Sequence, residues 1–336
     1  MIDYSNTQNL IESMVTERIV PGVNYAFFKN DQVFTSTVGF ASTYPTVTQL
    51  SPFAFYDLAS LTKVIITENI LLKLYQDGQL NFTEPLHDFI PEFKDERVRL
   101  FHLLTHTSGI RGWIEKRDQL SHDELINAII HLPVTDEFEH KMRYADTNFI
   151  LLGLVVKKIF GQPVQEVGQK LIIEPSGLKN MTFNPPKDLC VPTAVYQGKV
   201  LQGEPHDPKA RQLGSDCGSA GLFSTMNDLA KLSKGYLGLD KQILPFSQEL
   251  VAMLFDNKNP AGVKPRSWGW DLRFDPQLHY PLILHTGFTG VLMLLDRVKK
   301  SGLILLTNRI HPTGHNQVFL TMRERIIQSF LKENDE

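Results

Sequence analysis

Strand-like segments lie at both ends of this 336-residue chain, and a mostly helical region separates them. Near the beginning, 23–41 contains two β-rich runs around a Lys-Asn-Asp turn, which predicts a β-hairpin. Four more strand-like segments occur towards the other end: WGWDLRF, YPLILHTG, GVLMLLD and GLILLTN. This pattern predicts an α+β fold, in which one antiparallel sheet is built from both ends of the chain and is flanked by helices.

The region from about 80 to 210 has a different sequence pattern, which predicts short helices and loops rich in Pro, His and turn residues. We therefore predict that 1–79 and 211–336 form a discontinuous, sheet-containing α/β region. Residues 80–210 are predicted to form an inserted, mainly helical subdomain. Because ligand sites favour the cleft between two such units, we expect the active site in that cleft.

Several segments have the apolar spacing of amphipathic helices. The first, 7–19, ends before a Pro-Gly pair, and another begins near Ser60 and ends at Asp77-Gly78. A third helix is predicted over 147–161, with Gly161 as its C-terminal cap. Two further helices are predicted for the sequences STMNDLAKLSKGYL and NQVFLTMRERIIQSFLK.

Composition limits the classes of partner and compartment. The formal net charge is −3, with 42% hydrophobic and 21% charged residues, which gives no indication of a nucleic-acid partner. Cys190 and Cys217 suit a reducing compartment better than a disulfide framework. The N-terminus lacks signal-peptide features, and the longest apolar run, 149–156, is too short to span a membrane. We expect a cytoplasmic protein with no membrane span and leave its oligomeric state open.

Ser60 and Lys63 lie at the start of the segment DLASLTKVIITENILLKLYQDGQL. Three residues apart, they share one helix face, and the free N–H groups of a first turn favour negative charge on Ser60. This is the arrangement of a serine nucleophile paired with a lysine. One alternative is an N-cap serine with a solvated Lys63. A second S-x-x-K, Ser176 to Lys179, lies in a turn-rich segment.

Five motifs accompany the pair in a fixed order: FYDLASLTK, LLTHTSGI, YADTNFILLG, GSAGLFSTMNDLAKL and HTGFTG. Together they resemble the serine β-lactamase-like superfamily, which includes penicillin-binding DD-peptidases, class C β-lactamases and esterase relatives. The resemblance extends from about residue 20 to 330. It implies the β-lactamase/transpeptidase-like fold.

The resemblance also implies catalytic roles. Ser60 matches the acylated nucleophile, Lys63 the lysine of S-x-x-K, and Tyr144 the tyrosine of Y-x-N that shuttles the proton. The backbone N–H groups of Ser60 and Phe288 would form the oxyanion hole. His285, Thr286 and Gly287 would replace K-T-G on the strand that lines the cleft.

Two of the implied substrate-binding residues depart from the family pattern. Asp146 replaces the Asn of Y-x-N, and a carboxylate cannot donate a hydrogen bond to a substrate carbonyl as an amide can. Three roles are open for Asp146. It would pair with Lys63 and leave Tyr144 as the base, or it would receive a substrate amine. The third role is an N-cap of the next helix. His285 replaces Lys, which predicts that affinity for anionic substrates falls as the pH rises past the pKa of the imidazole.

Other chemistries receive less support from the sequence. His102 and His106 are four residues apart, but no third ligand is evident, so hydrogen-bonded structural roles are favoured over a metal site. Cys217 has no histidine nearby in sequence and is predicted to be a small buried residue. No G-x-S-x-G is present. We predict neither a metal nor an organic cofactor.

The aromatic residues Trp268, Trp270 and Phe274 are predicted to lie in the core or the cleft wall, because they alternate as strand residues do. Phe223 and Phe288 are predicted to lie in similar places.

These observations favour a serine acyl hydrolase that acts on a small ester, amide or peptide. Esterase or D-amino-acid ester/peptide hydrolase activity is preferred because Asp146 weakens recognition of an amide side chain. The alternatives are a β-lactamase or DD-carboxypeptidase, and a non-catalytic binding or sensor protein of the same fold.

Overall fold

The computed structural model describes residues 3–314 and 316–335. Residues 1, 2, 315 and 336, which belong to the predicted sheet-containing α/β region, lie outside the described residues. A seven-stranded antiparallel sheet has the order β3-β2-β1-β11-β10-β9-β8. The strands are β1 (Gly22–Lys29), β2 (Gln32–Ser42), β3 (Thr48–Gln49), β4 (Tyr56–Asp57), β5 (Val195–Tyr196), β6 (Lys199–Val200), β7 (Phe223–Ser224), β8 (Asp271–Phe274), β9 (Pro281–Thr286), β10 (Leu292–Asp296) and β11 (Ser301–Thr307).

The sheet joins the two ends of the sequence, as predicted. Strand β1 pairs with β2 in a hairpin and, on its other side, with β11, so that Val23 lies opposite Thr307. β11 is buried throughout because helices cover both of its faces. Leu303 and Leu305 contribute to one hydrophobic cluster, and Ile304 and Leu306 contribute to another on the opposite face.

The helices agree with the predicted periodicity. They are α1 (Ser5–Thr16), α2 (Glu68–Gln76), α3 (Leu86–Phe89), α4 (Leu100–Leu104), α5 (His122–Ile130), α6 (Asp146–Phe160), α7 (Val164–Gly168), α8 (Pro208–Leu213), α9 (Met226–Leu237), α10 (Gln248–Met253) and α11 (Gln317–Asp335). Helices α1 and α11 cover one face of the sheet. α9 packs on the other face, where one large cluster extends into the helical region. No helix of the described residues is long and apolar enough to cross a membrane.

Two local features differ from the sequence prediction. The helix that carries Lys63 contains a π-helical turn, Lys63–Thr67, before α2. Such turns are rare and occur often at functional sites. Trp268 and Trp270 are buried but precede β8, and Phe274 is 41% exposed. The prediction that Phe274 lies in the core or the cleft wall is therefore wrong, because β8 is an edge strand and Phe274 is its last residue.

Candidate active site

A short turn presents Ser60 between β4 and the π-helical turn. Ala59, the residue before it, has φ of +45°, a left-handed conformation that costs free energy in a non-glycine residue. The turn is held by Asp57, whose carboxylate accepts hydrogen bonds from the backbone N–H of Ala59 at 2.8 Å and of His206 at 2.7 Å. Burial raises the pKa of Asp57 to about 6, although these two hydrogen bonds oppose the shift.

Lys63 is fully buried and points at Ser60. Its Nζ lies 2.9 Å from Ser60 Oγ, 2.9 Å from the carbonyl oxygen of Ser219 and 2.8 Å from Asp146 Oδ1. Burial opposes the charge, but Asp146 and the Tyr144 hydroxyl outweigh it, so the pKa of Lys63 is raised. An ammonium has three N–H donors, and each of them has an acceptor here. The alternative of a solvated Lys63 is therefore wrong.

Asp146 connects Lys63 with a second lysine. Its Oδ2 lies 3.1 Å from Lys209 Nζ, which is also 3.0 Å from Asp207 Oδ2. Burial of Asp146 opposes its charge, yet the two ammonium groups lower the pKa of its carboxyl. Asp146 is the first residue of α6, whose N-cap is Ala145, and its side chain caps nothing. The predicted pairing with Lys63 is confirmed, and the predicted N-cap is wrong.

Tyr144 lies over the same ammonium group, with its ring partly exposed to the cleft. Lys63 Nζ is 5.2 Å and the guanidinium carbon of Arg266 is 5.5 Å from the ring centroid. The His106 ring lies 4.5 Å from the Tyr144 ring. Burial, followed by the charges of Arg266 and Lys63, lowers the pKa of His106 well below its usual value. His106 is therefore a neutral imidazole that lies between the helical region and Tyr144.

His285 is buried near the end of β9 and is neutral. Burial and the positive charges of Arg266 and Lys63 lower its pKa well below the usual value. Neither of its ring nitrogens has a hydrogen-bond partner among the described residues. The predicted fall in affinity for anionic substrates would therefore occur at a lower pH than for an ordinary histidine, since burial and two nearby cations disfavour the imidazolium. Arg266 supplies a positive charge at this end of the cleft.

The segment after β9 lies directly against the Ser60 turn. A Cβ on Gly287 would be 2.6 Å from the carbonyl oxygen of Leu58, so this close approach requires glycine. Thr289 Oγ1 donates a hydrogen bond to the carbonyl oxygen of Asp57 at 2.7 Å. Within residues 3–314 and 316–335, the N–H groups of Ser60 and Phe288 donate to no protein acceptor. Two free donors next to the serine fit the predicted oxyanion hole.

Phe288 itself is 53% exposed and forms part of the cleft wall. Its ring stacks on His206 with centroids 5.3 Å apart, and its carbonyl oxygen accepts a 2.7 Å hydrogen bond from Arg309 Nε. Phe223, by contrast, is buried in β7. Both positions agree with the prediction of core or cleft wall.

The cleft at Ser60 has a volume of about 770 Å³ and carries more positive than negative groups. The negative groups on its wall all have cationic neighbours: Asp146 with Lys63, Asp207 with Lys209, and Asp271 with Lys264. The basic side chains of the lining are Arg117, Lys209, Lys264, Arg266, Arg309 and Arg323. This excess favours a substrate with a negatively charged group.

The structure brings together every predicted site residue and adds several that the sequence did not indicate. Lys209 and Arg266 belong to segments that look like ordinary charged loops, whereas Asp57 lies within the FYDLASLTK motif but had no role assigned to it. His102 has the predicted structural role: its ring nitrogens bond the Glu139 carboxylate and the Arg99 backbone N–H, both at 2.9 Å.

Cys217 is buried, as predicted, and burial raises the pKa of its thiol. Its sulfur lies 3.4 Å from Ser219 Oγ. A buried thiol that resists ionisation is a poor nucleophile.

Known proteins resemble this chain over nearly its whole length. The family model described as Beta-lactamase matches residues 7–322. An N-acetylmuramyl-L-alanine amidase of Bacillus subtilis (strain 168) is 28% identical over 303 residues, 76% of this chain and 68% of that protein. A putative D-alanyl-D-alanine carboxypeptidase of Salmonella agona (strain SL483) is 25% identical over 344 residues, 87% of this chain and 79% of that protein.

The solved structures confirm the fold. A class C β-lactamase from Rhodobacter sphaeroides superposes with a TM-score of 0.76 at 16% identity, covering 97% of this chain and 98% of that one. Together with the family match, this similarity confirms the predicted β-lactamase-like architecture. The chain therefore belongs to the Beta-lactamase family and is a serine hydrolase of the β-lactamase-like superfamily.

Proposed function

We propose that this protein hydrolyses ester or peptide bonds of D-amino-acid-type substrates through an acyl-enzyme on Ser60. We further propose that the substrate carries a carboxylate. The observation that carries the proposal is the 2.9 Å hydrogen bond from Lys63 Nζ to Ser60 Oγ in a mostly cationic cleft. The names of the amidase and carboxypeptidase relatives favour an amide bond in the substrate.

In the acylation step, Tyr144 is the base and Lys63 remains an ammonium. All three N–H groups of Lys63 are donated, one of them to Ser60, so this lysine has no lone pair with which to accept a proton. Tyr144, acting as its phenolate, takes the proton from Ser60 Oγ as the oxygen attacks the carbonyl carbon. The adjacent charges of Lys63 and Arg266 would stabilise the phenolate before it accepts the proton.

The tetrahedral oxyanion would accept hydrogen bonds from the backbone N–H groups of Ser60 and Phe288. Tyr144 would then give its proton to the leaving amine or alkoxide, which completes the acyl-enzyme. Attack by water reverses the sequence and releases the acid. Because the Ser60 turn and the segment after β9 are tied by Thr289, both donors keep their positions through the two steps.

The charge of the cleft supports recognition of a carboxylate. His285 is held neutral, so permanent positive charge comes from Arg266 and, further along the wall, from Arg309. A substrate with a free carboxylate would gain attraction that its amide would not. The DD-carboxypeptidase and β-lactamase alternatives share this feature and differ in the bond that is broken.

Covalent labelling tests the nucleophile. Treatment with a fluorophosphonate, followed by intact-mass measurement, should add one label to the unmodified protein and none to Ser60→Ala. Ser176→Ala is the matched control, since it removes the serine of the second S-x-x-K. In Tyr144→Phe the rate of labelling should fall by about 100-fold or more. A label retained in Ser60→Ala, or an unaltered rate in Tyr144→Phe, would contradict the proposal.

A small substrate panel tests the specificity. We expect hydrolysis of N-acetyl-D-alanyl-D-alanine to be at least about tenfold more efficient than hydrolysis of its C-terminal amide, because only the acid carries the charge. Equal rates would contradict carboxylate recognition. A clear preference for penicillin over both compounds would favour the β-lactamase alternative.

A further inference from the structure

Lys209 lies on the cleft wall beside Asp146, at the start of α8. Its side chain is 8% exposed, and its Nζ lies 3.1 Å from Asp146 Oδ2 and 3.0 Å from Asp207 Oδ2. Two carboxylates therefore fix the position of the ammonium group. A lysine has three N–H donors, and within the part of the chain that the structure describes the third has no acceptor.

Asp146 cannot serve a substrate carbonyl. It is an acceptor only, and its two oxygens face Lys63 and Lys209. With an ammonium group on each oxygen, Asp146 is also a poor site for a substrate amine. The Lys209 ammonium lines the cleft beside Asp146 and can donate a hydrogen bond there, which Asp146 cannot.

We propose that Lys209 binds the amide carbonyl on the acyl side of the substrate, so that the enzyme selects N-acylated amino-acid esters and peptides. Asp146 and Lys209 would together do what one asparagine amide can do. The Asp146 oxygen accepts from Lys63, and the Lys209 N–H group donates to the substrate. This inference rests on the proposed function and specifies its substrate class.

Two methyl esters of matched shape test the inference. Methyl N-acetyl-D-alaninate carries the amide carbonyl, and methyl 2-methylpentanoate has two methylenes in place of the CO–NH group. In Lys209→Met, kcat/KM for the first ester should fall by about 10- to 100-fold, the range of a hydrogen bond from a charged donor. For the second ester the change should stay below about threefold.

A double variant and a control separate recognition from general damage. Asp146→Asn/Lys209→Met places a neutral amide donor on the same wall and should recover most of the preference for the N-acetyl ester. Lys157→Met is the control, because it removes a half-exposed lysine paired with Asp216.

The outcomes are distinguishable. An equal loss for both esters in Lys209→Met, or no loss for either, would overturn the inference and leave the proposed function intact. A double variant that folds but shows no preference for the N-acetyl ester would also overturn it. If the unmodified protein hydrolysed neither these esters nor N-acetyl-D-alanyl-D-alanine, the proposed function would fail, and the inference would fail with it.

Discussion

Asp146→Ala tests the buried charges directly, because it removes the carboxylate that lies between two ammonium groups. Lys63 would keep its hydrogen bonds to Ser60 and Ser219 but would lose its counter-ion at 2.8 Å. At that distance and an effective dielectric constant of about 20, the direct attraction is about 6 kcal/mol. Desolvation and relaxation offset part of this, so the free energy of unfolding at pH 7 should fall by about 3–5 kcal/mol.

The dependence of the unfolding free energy on pH provides a second, independent test of this prediction. In the unmodified protein the pKa of Lys63 is raised above 10.5, so its stabilising contribution is present below pH 10.5 and is lost only at higher pH. Without Asp146, burial becomes the main influence, and the pKa of Lys63 falls below 10.5. A buried lysine with a lowered pKa destabilises the fold while it is protonated. The variant should therefore gain stability as the pH rises from about 7 to 10.

Urea unfolding at several pH values between about 6 and 10 measures both effects. Asp256→Ala is a matched control, since it removes an exposed carboxylate paired with Lys258 and should cost less than about 1 kcal/mol. Adding Lys63→Met to Asp146→Ala should abolish the rise in stability with pH. If Asp146→Ala had the stability and the pH profile of the unmodified protein, the reasoning would be refuted.

Two further predictions concern the turn at Ser60. Gly287→Ala should lower ester hydrolysis by at least about tenfold and destabilise the fold by about 1–3 kcal/mol, because the new Cβ would press on the Leu58 carbonyl oxygen. The control is Gly112→Ala, because a Cβ there would make ordinary contacts of 3.4 Å or more. Equal rates of hydrolysis and equal stability in urea for the two variants would contradict the prediction for Gly287→Ala. The pKa of Asp57 is raised from 3.8 to about 6, so stability from this group is present below pH 3.8 and is lost as the pH rises through 6. The loss in unfolding free energy should be about 3 kcal/mol. The difference in unfolding free energy between Asp57→Asn and the unmodified protein should therefore change between pH 3.8 and about 6. A difference that stays constant over this pH range would contradict the prediction.

The sequence was sufficient to predict the sheet and the main helices, because apolar periodicity reports burial directly. Strands such as β11 are covered on both faces and therefore appear as continuous apolar runs. Phe274 shows where this reasoning fails. Its alternation with the tryptophans indicated burial, but an edge position is a property of the sheet order and has no local signal.

The candidate site was only partly predictable, for a physical reason. Ser60, Lys63 and Tyr144 belong to motifs with fixed spacing, whereas Lys209 and Arg266 stand in charged loops that resemble solvated surface. Their burial depends on segments far away in the chain. The strong lowering of the His285 pKa had no local signal for the same reason, since burial and the proximity of Arg266 cause it.

The pairing of β1 with β11 has a consequence for how the protein is made. Val23 leaves the ribosome early, and its partner Thr307 emerges only when synthesis is almost finished. Until then the β1–β2 hairpin has an open edge and an uncovered apolar face, which makes the nascent chain slow to fold and prone to aggregate. A chain interrupted before β11 would carry Ser60 and Lys63 without the strand that joins β1 to β10. We therefore expect Ser60 to become an active nucleophile only when translation is almost complete.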